Sequence, residues 1–420
     1  MVSHDYEIPN DPAVSPEDID SNADLEGADL SEATLTGANL SEATLRNADI
    51  TGAILVGADL TGATLSGADL TGADLYRGKL SDADLRDSDL SRGNLIDADL
   101  SGAALERSEL VGADMYHANL SEATLVGADL SEVDLYRADL PEATLRNADL
   151  SGATLRKADL FESDLYRADL PEADLSRAGL SETNLRNASL FQANLRNADL
   201  VGANLRDANL SKADLAGSDI STANLTRSQL EDVLLWNTSL SGALVSRGTA
   251  FDAPGDRIEQ LANDEETDSL SDPTDRYDAI ARANNELKTV YSNNGLISQA
   301  RKARSRERRA RRREAKADDT LQGTVAWLGS LLSRLTTGYG VKLRPVIFVM
   351  MALFLGSAVV YSTNEMSLGE SLYYSIVTFT TSPPGDPDPG LMRVVAGIET
   401  FLGTTMIVFL GYVLGAREQV

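Results

Sequence analysis

From Leu25 to Val245 every fifth residue is a large aliphatic one, and all but Ile50, Met115, Ile220 and Val245 are Leu. Two residues before each sits a small residue, usually Ala, as at Ala23, Ala28 and Ala33. The residue between them is mostly Asp, Asn or Thr. A helix cannot use this pattern, because a five-residue step at about 100° per residue spins the apolar positions around every face. A simple strand cannot use it either, since its faces alternate with a period of two. A solenoid can, if each of its sides holds one five-residue unit and turns the aliphatic and small residues inward. The apolar phase never slips, which also argues against a disordered low-complexity tract.

The unit A-(D/N/T)-L-x-x resembles the pentapeptide-repeat family. That resemblance implies a right-handed, four-sided β-helix with four units per coil, here a β-solenoid over residues 21–250. A 20-residue coil then gives about 11 coils and a rod of roughly 50 Å at the usual strand spacing. Leu25, Leu45 and Leu65 would stack in one interior column. Val133, Val233 and Thr183 replace the small residue and are expected to bulge the coil. Trp236 and Phe251 are the expected covers of the open end, which any solenoid must close. Residues 1–20 are acidic, lack the apolar run of a signal peptide, and read as a disordered lead-in.

Folded onto four sides, the x-x positions segregate. Two columns carry mostly Ser-Glu, Pro-Glu, Ser-Gly or Thr-Gly, and the other two carry most of the Arg and Tyr. Tyr116, Tyr136, Arg186 and Arg206 are the candidate docking residues for a protein partner, because Tyr and Arg anchor interfaces. The alternative is Asp–Arg pairing across coils on an acidic rod. With 65 acidic against 37 basic residues and a net charge of −28, free nucleic acid is not an expected partner. An acidic mimic of DNA fits less well, because two columns are Arg-rich. The acidic, Lys-poor composition resembles that of proteins from salt-loving archaea. There is no Cys, the two His are remote from each other, and the repeating Asp single out no catalytic pair. The expectation is therefore no enzyme, no metal and no cofactor.

The remainder is helical. Residues 251–320 read as a two-helix connector, started by Asp272-Pro273 and interrupted at Asn294-Gly295, with a polybasic second helix. Such a run faces anionic lipid headgroups at low salt. Residues 321–342 read as an interfacial amphipathic helix and turn, with Trp327 as its anchor. Within residues 343–420, Pro345–Tyr361 and Leu391–Gly415 are the two expected membrane spans. Ser367-x-x-Glu370 is a capping box that opens a helix too short to cross. Arg is dense before the first span and Arg417 follows the second, so both termini are expected in the cytoplasm of a cell-membrane protein.

Span, short helix, loop and span resembles the pore module of two-span potassium channels. "SLYYSIVTFTT" is similar to that family's pore helix, and the register puts its filter at Thr380, Thr381, Ser382, Pro383, Pro384, Gly385 and Asp386. The resemblance implies a homotetramer among membrane lipids. Two prolines stand where the family has Gly and Tyr, and proline fixes φ near −65°. A weakly selective cation pore follows, with Asp386 and Asp388 at its outer mouth. The alternative is a vestigial module that only tethers and oligomerises a scaffold. "TTGYG" at residues 336–340 spells a filter but has no pore helix before it. Glu399, an acid within a span, either acts on ions or hydrogen-bonds behind the loop. Gly403 and Gly411 are candidate hinges or close-packing sites.

Overall fold

The computed structural model describes residues 6–251, 272–318, 320, 322–324, 326–327, 343–363, 366–381, 383–384 and 391–418. They divide into two compact units, Met1–Asp264 with Thr289–Leu296, and Glu265–Lys288 with Ile297–Val420.

The first unit is the solenoid. Each Asp, Asn or Thr of the repeat forms a parallel bridge with the residue 20 further on, from Asp24↔Thr44 to Asn224↔Leu244. One step of the ladder is two hydrogen bonds: Leu25 N–H donates to the Thr44 carbonyl at 2.8 Å, and Thr44 N–H to the Ala23 carbonyl at 2.8 Å. Each side is thus a single bridged residue between corners, too short for strand alternation to develop. The Leu side chains from Leu30 to Leu240 are buried. Each contributes about 1.5–3 kcal/mol against exposure, which is what closes the coil.

The corners explain the repeat's polar residue. At every corner from Asn22 to Gly242, in five-residue steps, the second turn residue has a φ between 54° and 73°. A residue with a Cβ carries a cost of roughly 1–2 kcal/mol there, yet many of these positions hold Glu, Arg or Lys. The preceding Asp or Asn offsets that cost by gripping the turn. Asp29 Oδ1 accepts from Ser31 N–H at 3.1 Å, and Asp134 Oδ1 from Tyr136 N–H at 2.9 Å. This is the Asx turn, and it gives much of the chain's acidity a local structural role.

Three expectations about the rod need correction. Val133, Thr183 and Val233 do not bulge it: Asp134 keeps Asp114 and Thr154 as partners, Asn184 keeps Asp164 and Asn204, and Leu234 pairs with Asp214. Thr183 is tolerated because its hydroxyl donates to the Leu160 carbonyl at 2.8 Å inside the core. Inward Ser residues do the same within their own turn, as Ser88 does to the Leu85 carbonyl at 2.6 Å.

Residues 6–20 are not a disordered lead-in. Glu7 forms an antiparallel bridge with Thr34, and Asn10 Nδ2 donates to the Ser31 carbonyl at 2.8 Å. The first coil has no predecessor, so its edge amides and carbonyls need these partners. Residues 1–5 lie outside the described residues.

Trp236 is a half-buried corner residue and does not cover the rod's end. There, β1 (Gln229–Leu230) pairs with β2 (Ala250–Phe251), 21 residues on, so the period slips by one. The Phe251 ring meets Tyr291 edge-on at 6.0 Å. The residue that finishes the ladder is Asn294. Its Oδ1 accepts from Val245 N–H at 3.2 Å, and its Nδ2 donates to the Ala243 carbonyl at 2.9 Å. Those are the two groups a further coil would bridge, so one side-chain amide stands in for the backbone of a missing coil.

The connector helices are α1 (Pro273–Asn293) and α2 (Ile297–Ala317). Asp272 caps the first, accepting from Thr274 N–H at 2.7 Å, and Gly295, at φ 70°, turns the chain. Ion pairs of both senses join the two helices: Arg311 of α2 pairs with Asp278 of α1 at 2.5 Å, and Lys288 of α1 with Glu307 of α2 at 3.2 Å. Burial pushes the Asp278 carboxyl up, but Arg282 and Arg311 outweigh it and hold it below the usual range.

Three further helices, α3 (Leu343–Ser362), α4 (Leu368–Thr380) and α5 (Leu391–Glu418), all contact one another. The capping box opens α4 as expected: Ser367 N–H donates to Glu370 Oε2 at 3.0 Å, and Glu370 N–H returns to Ser367 Oγ at 3.4 Å. The two expected spans coincide with α3 and α5. Among the described residues no helix is long and apolar enough to cross a membrane.

Candidate functional site

Two places in the molecule concentrate chemistry, one in each unit. On the rod they are the two corner columns rich in Arg and Tyr. Along the first, Arg side chains are tied to carboxylates. Arg86 binds Asp84 at 2.6 Å, Arg107 binds Asp87 at 2.6 Å across one coil step, and Arg227 binds Asp207 at 2.8 Å. Arg146 pairs with Asp164. These guanidiniums hold the Asp84 and Asp87 carboxyls below the ordinary range, each chiefly by direct hydrogen bonding. These residues of the column follow the Asp–Arg pairing alternative.

The second column differs. Tyr116 and Tyr136 stack across one coil step with ring centroids 5.5 Å apart, and His117 stacks on Tyr116 at 4.7 Å. Around Tyr136 stand Arg137 at 5.3 Å from the ring centroid, Arg156 at 5.8 Å and Lys157 at 5.4 Å. Lys157 Nζ donates to the Tyr136 hydroxyl at 3.1 Å. That hydrogen bond, helped by the charges of Arg137 and Arg156, lowers the Tyr136 phenol below its ordinary pKa.

The four expected docking residues are therefore not one face. Tyr116 and Tyr136 share a column, while Arg186 and Arg206 follow corners two sides away in each coil. Arg206 is paired with Asp207 at 3.3 Å, and Arg186 lies over Tyr166 at 6.0 Å. Sequence reasoning missed Arg137 and Lys157, and the latter completes the Tyr136 cluster. Its position one coil on from Arg137 was the signal available.

The three-helix unit buries polar groups at its centre. Glu399 is 1% exposed and accepts from the Tyr361 hydroxyl at 2.6 Å and from the Ser375 hydroxyl. One carboxylate thus ties α5 to α3 and α4. The Ser375 hydroxyl also lies 2.9 Å from the Phe354 carbonyl, so its one proton is shared between the two acceptors. Ser371 and Thr378 are buried beside it on α4. This is the hydrogen-bonding alternative for Glu399. Gly403 is a close-packing site: a Cβ there would overlap the Phe379 carbonyl oxygen at the end of α4. Gly411 lies in α5, and its packing falls outside the described residues.

Of the filter position, Thr380, Thr381, Pro383 and Pro384 are described. Thr380 and Thr381 turn their hydroxyls back to the Ile376 and Val377 carbonyls at 2.8 and 2.9 Å, completing the end of α4. Ser382, Gly385, Asp386, Asp388 and the "TTGYG" stretch lie outside the described residues.

Compared with known proteins, the chain matches the family described as pentapeptide repeats over residues 21–55, 53–92, 94–131, 128–167, 155–192 and 188–227. Among solved structures, HetL from the cyanobacterium Nostoc sp. strain PCC 7120, described as involved in heterocyst differentiation regulation, is 37% identical. The match covers 49% of this chain and 84% of HetL, with a TM-score of 0.38. Rfr23 from the cyanobacterium Cyanothece 51142 is 42% identical over 25% of this chain and 64% of its own, with a TM-score of 0.17. A thylakoid-lumen protein of Arabidopsis thaliana is 38% identical over 21% of this chain and 63% of its own, with a TM-score of 0.21. No curated protein matches the chain.

Proposed function

We propose, from the premise that this chain belongs to the pentapeptide-repeat family, that it is an interaction protein whose rod presents corner columns to a partner and whose α3–α5 unit holds it in a membrane. The observation that carries the second half is the placement of large apolar side chains. Phe348, Val359, Tyr373 and Phe401 are each more than 60% exposed, whereas Glu399, Ser371, Ser375 and Thr378 are buried. A unit with its apolar groups outside and its one buried carboxylate hydrogen-bonded inside suits a surrounding of lipid. The 20-residue α3 would extend about 30 Å. The Arg-rich stretch before it favours both termini on the cytoplasmic side.

The test is labelling in this Cys-free chain. A single Cys at Val359 or Phe401 carrying a polarity-sensitive dye should shift to the blue when vesicles are added, and one at Ser241 should not. If both stay water-exposed and the protein fails to float with vesicles, the membrane half of the reading is wrong.

A second reading has its own observation: a short capped helix, α4, lies between two long helices that contact it and each other. That arrangement favours a pore module, assembled as a homotetramer and passing cations with weak selectivity because Pro383 and Pro384 stiffen the loop. Potassium and sodium flux into vesicles holding the protein decides it. Equal flux of both supports the pore; no flux leaves the anchored scaffold.

A further inference from the structure

On a chain carrying a net charge of −28, Arg137, Arg156 and Lys157 form a cationic cluster with no ion pair to any carboxylate among the described residues. In the other column Arg86, Arg107, Arg146 and Arg227 have such a pair, while Arg167 and Arg186 lie over Tyr166; at the far end of this column Arg77 pairs with Asp97 at 3.5 Å. The three cations gather instead on the Tyr136 ring, which continues into Tyr116 and then, one coil step at a time, into Ile96 and Tyr76. Arg137 and Arg156 are exposed, and the Tyr116 and Tyr136 rings are half-buried, so their outer faces are open to a ligand.

We infer that this column, from Tyr76 to Lys157, is a docking surface for an acidic protein segment that lays apolar side chains on the rings and carboxylates on the cations. The inference rests on reading the rod as an interaction domain, and it adds the partner's chemistry. Charge complementarity selects the occupant. Guanidinium and ammonium groups left without carboxylates on an acid-rich surface are satisfied by carboxylates from outside. Tyr and Arg together supply anchoring area and directional hydrogen bonds at a small entropic cost. Successive coils lie about 4.8 Å apart, so the four rings or apolar groups and the cations next to them extend over roughly 20 Å, the reach of a short segment.

The experiment uses the full chain in detergent and a fluorescein-labelled peptide of alternating Glu and Leu. Its Gln/Leu and Lys/Leu counterparts and a labelled oligo-thymidylate serve as comparison probes. The Glu/Leu peptide is expected to bind tightest, and Arg137→Glu with Arg156→Glu and Lys157→Glu to weaken it about tenfold or more. Arg107→Glu on the other column should change affinity less than twofold. Binding should also raise the pH at which Tyr136 ionises, read from tyrosinate absorbance against Tyr136→Phe, because peptide carboxylates neutralise the cations that depress it. If the Glu/Leu peptide binds but the triple reversal leaves its affinity unchanged, this surface is wrong while the interaction reading stands. Equal, reversal-sensitive binding of the oligo-thymidylate overturns the acidic-protein partner in favour of a general anion patch. If no probe binds, both this inference and the interaction reading fall.

Discussion

The rod and the three-helix unit solve the same packing problem in opposite senses. In the rod, Leu and Ala fill a closed interior, and Asp, Asn and Arg take the corners and bridges. In the helical unit Glu399 is fully enclosed, and Phe348, Tyr373 and Phe401 face outward. Apolar residues are abundant in both, so composition alone does not separate them. What separates them is where each places its polar and apolar groups. A water-facing surface can carry the rod's stacked carboxylates, and a carboxylate can stay buried in the helices because hydroxyls from two neighbours satisfy it. The rod depends on a repeated apolar contact. The helical unit depends on a few polar ties and one close backbone approach.

The strongest way to break this comparison is to exchange a single side chain inside the rod. Leu125→Asp places a carboxylate in a dry column with no hydroxyl to pair it. A loss of about 4 kcal/mol or more is expected, enough to unfold the coils around it. Circular dichroism should show the rod's cooperative melt lost or split. A parent-like melt would mean the column is not dry. Next in size is Gly403→Val, which drives a side chain into the Phe379 backbone and should cost about 1–3 kcal/mol as α4 and α5 separate. The prediction specific to two dissimilar units is that the rod's melt stays unchanged. If both transitions drop together, the two units do not unfold independently.

The sequence made the rod legible because a strict period is a global constraint. The period turns every fifth residue inward, and the resemblance to the pentapeptide-repeat family supplies the 20-residue coil that stacks Leu25, Leu45 and Leu65. The left-handed corners were not legible. Glu32, Arg77 and Lys157 carry no mark of a positive φ, and the Asp or Asn that stabilises many corners looked like surface charge. Nor was Asn294 legible as the rod's terminator: it read as a helix stop, and its amide meets Val245 only after 49 intervening steps of chain. In the helical unit Glu399 stood out as an ionisable residue in an apolar run. Its partners Tyr361 and Ser375 did not, because they reach it from two other helices.

Asn294→Ala sharpens the comparison at the rod's end. It leaves Val245 N–H and the Ala243 carbonyl without the amide that completes their ladder, at an expected cost of about 1–2 kcal/mol. Hydrogen exchange should quicken at the last coil and fade toward the middle, since a solenoid's coils depend chiefly on their neighbours. Uniform quickening along the rod would show that the coils melt as one body.

The smallest effect tests whether polar ties matter inside the rod as they do in the helices. Thr183→Val keeps the shape and removes one buried hydroxyl. The Leu160 carbonyl would still accept from Ser163 N–H at 3.1 Å and from Ser163 Oγ at 2.7 Å. Because that acceptor stays satisfied and the new methyl is apolar, the expected loss is no more than about 0.5 kcal/mol. Glu399→Leu in the helical unit is the contrasting case, since it takes the carboxylate acceptor from the buried Tyr361 hydroxyl, while Ser375 keeps only the Phe354 carbonyl. Measured side by side by chemical denaturation, Thr183→Val should be the milder change by a clear margin. If it proves as costly as Glu399→Leu, the rod relies on its internal hydroxyls as much as on its leucines, and the contrast between the two interiors fails.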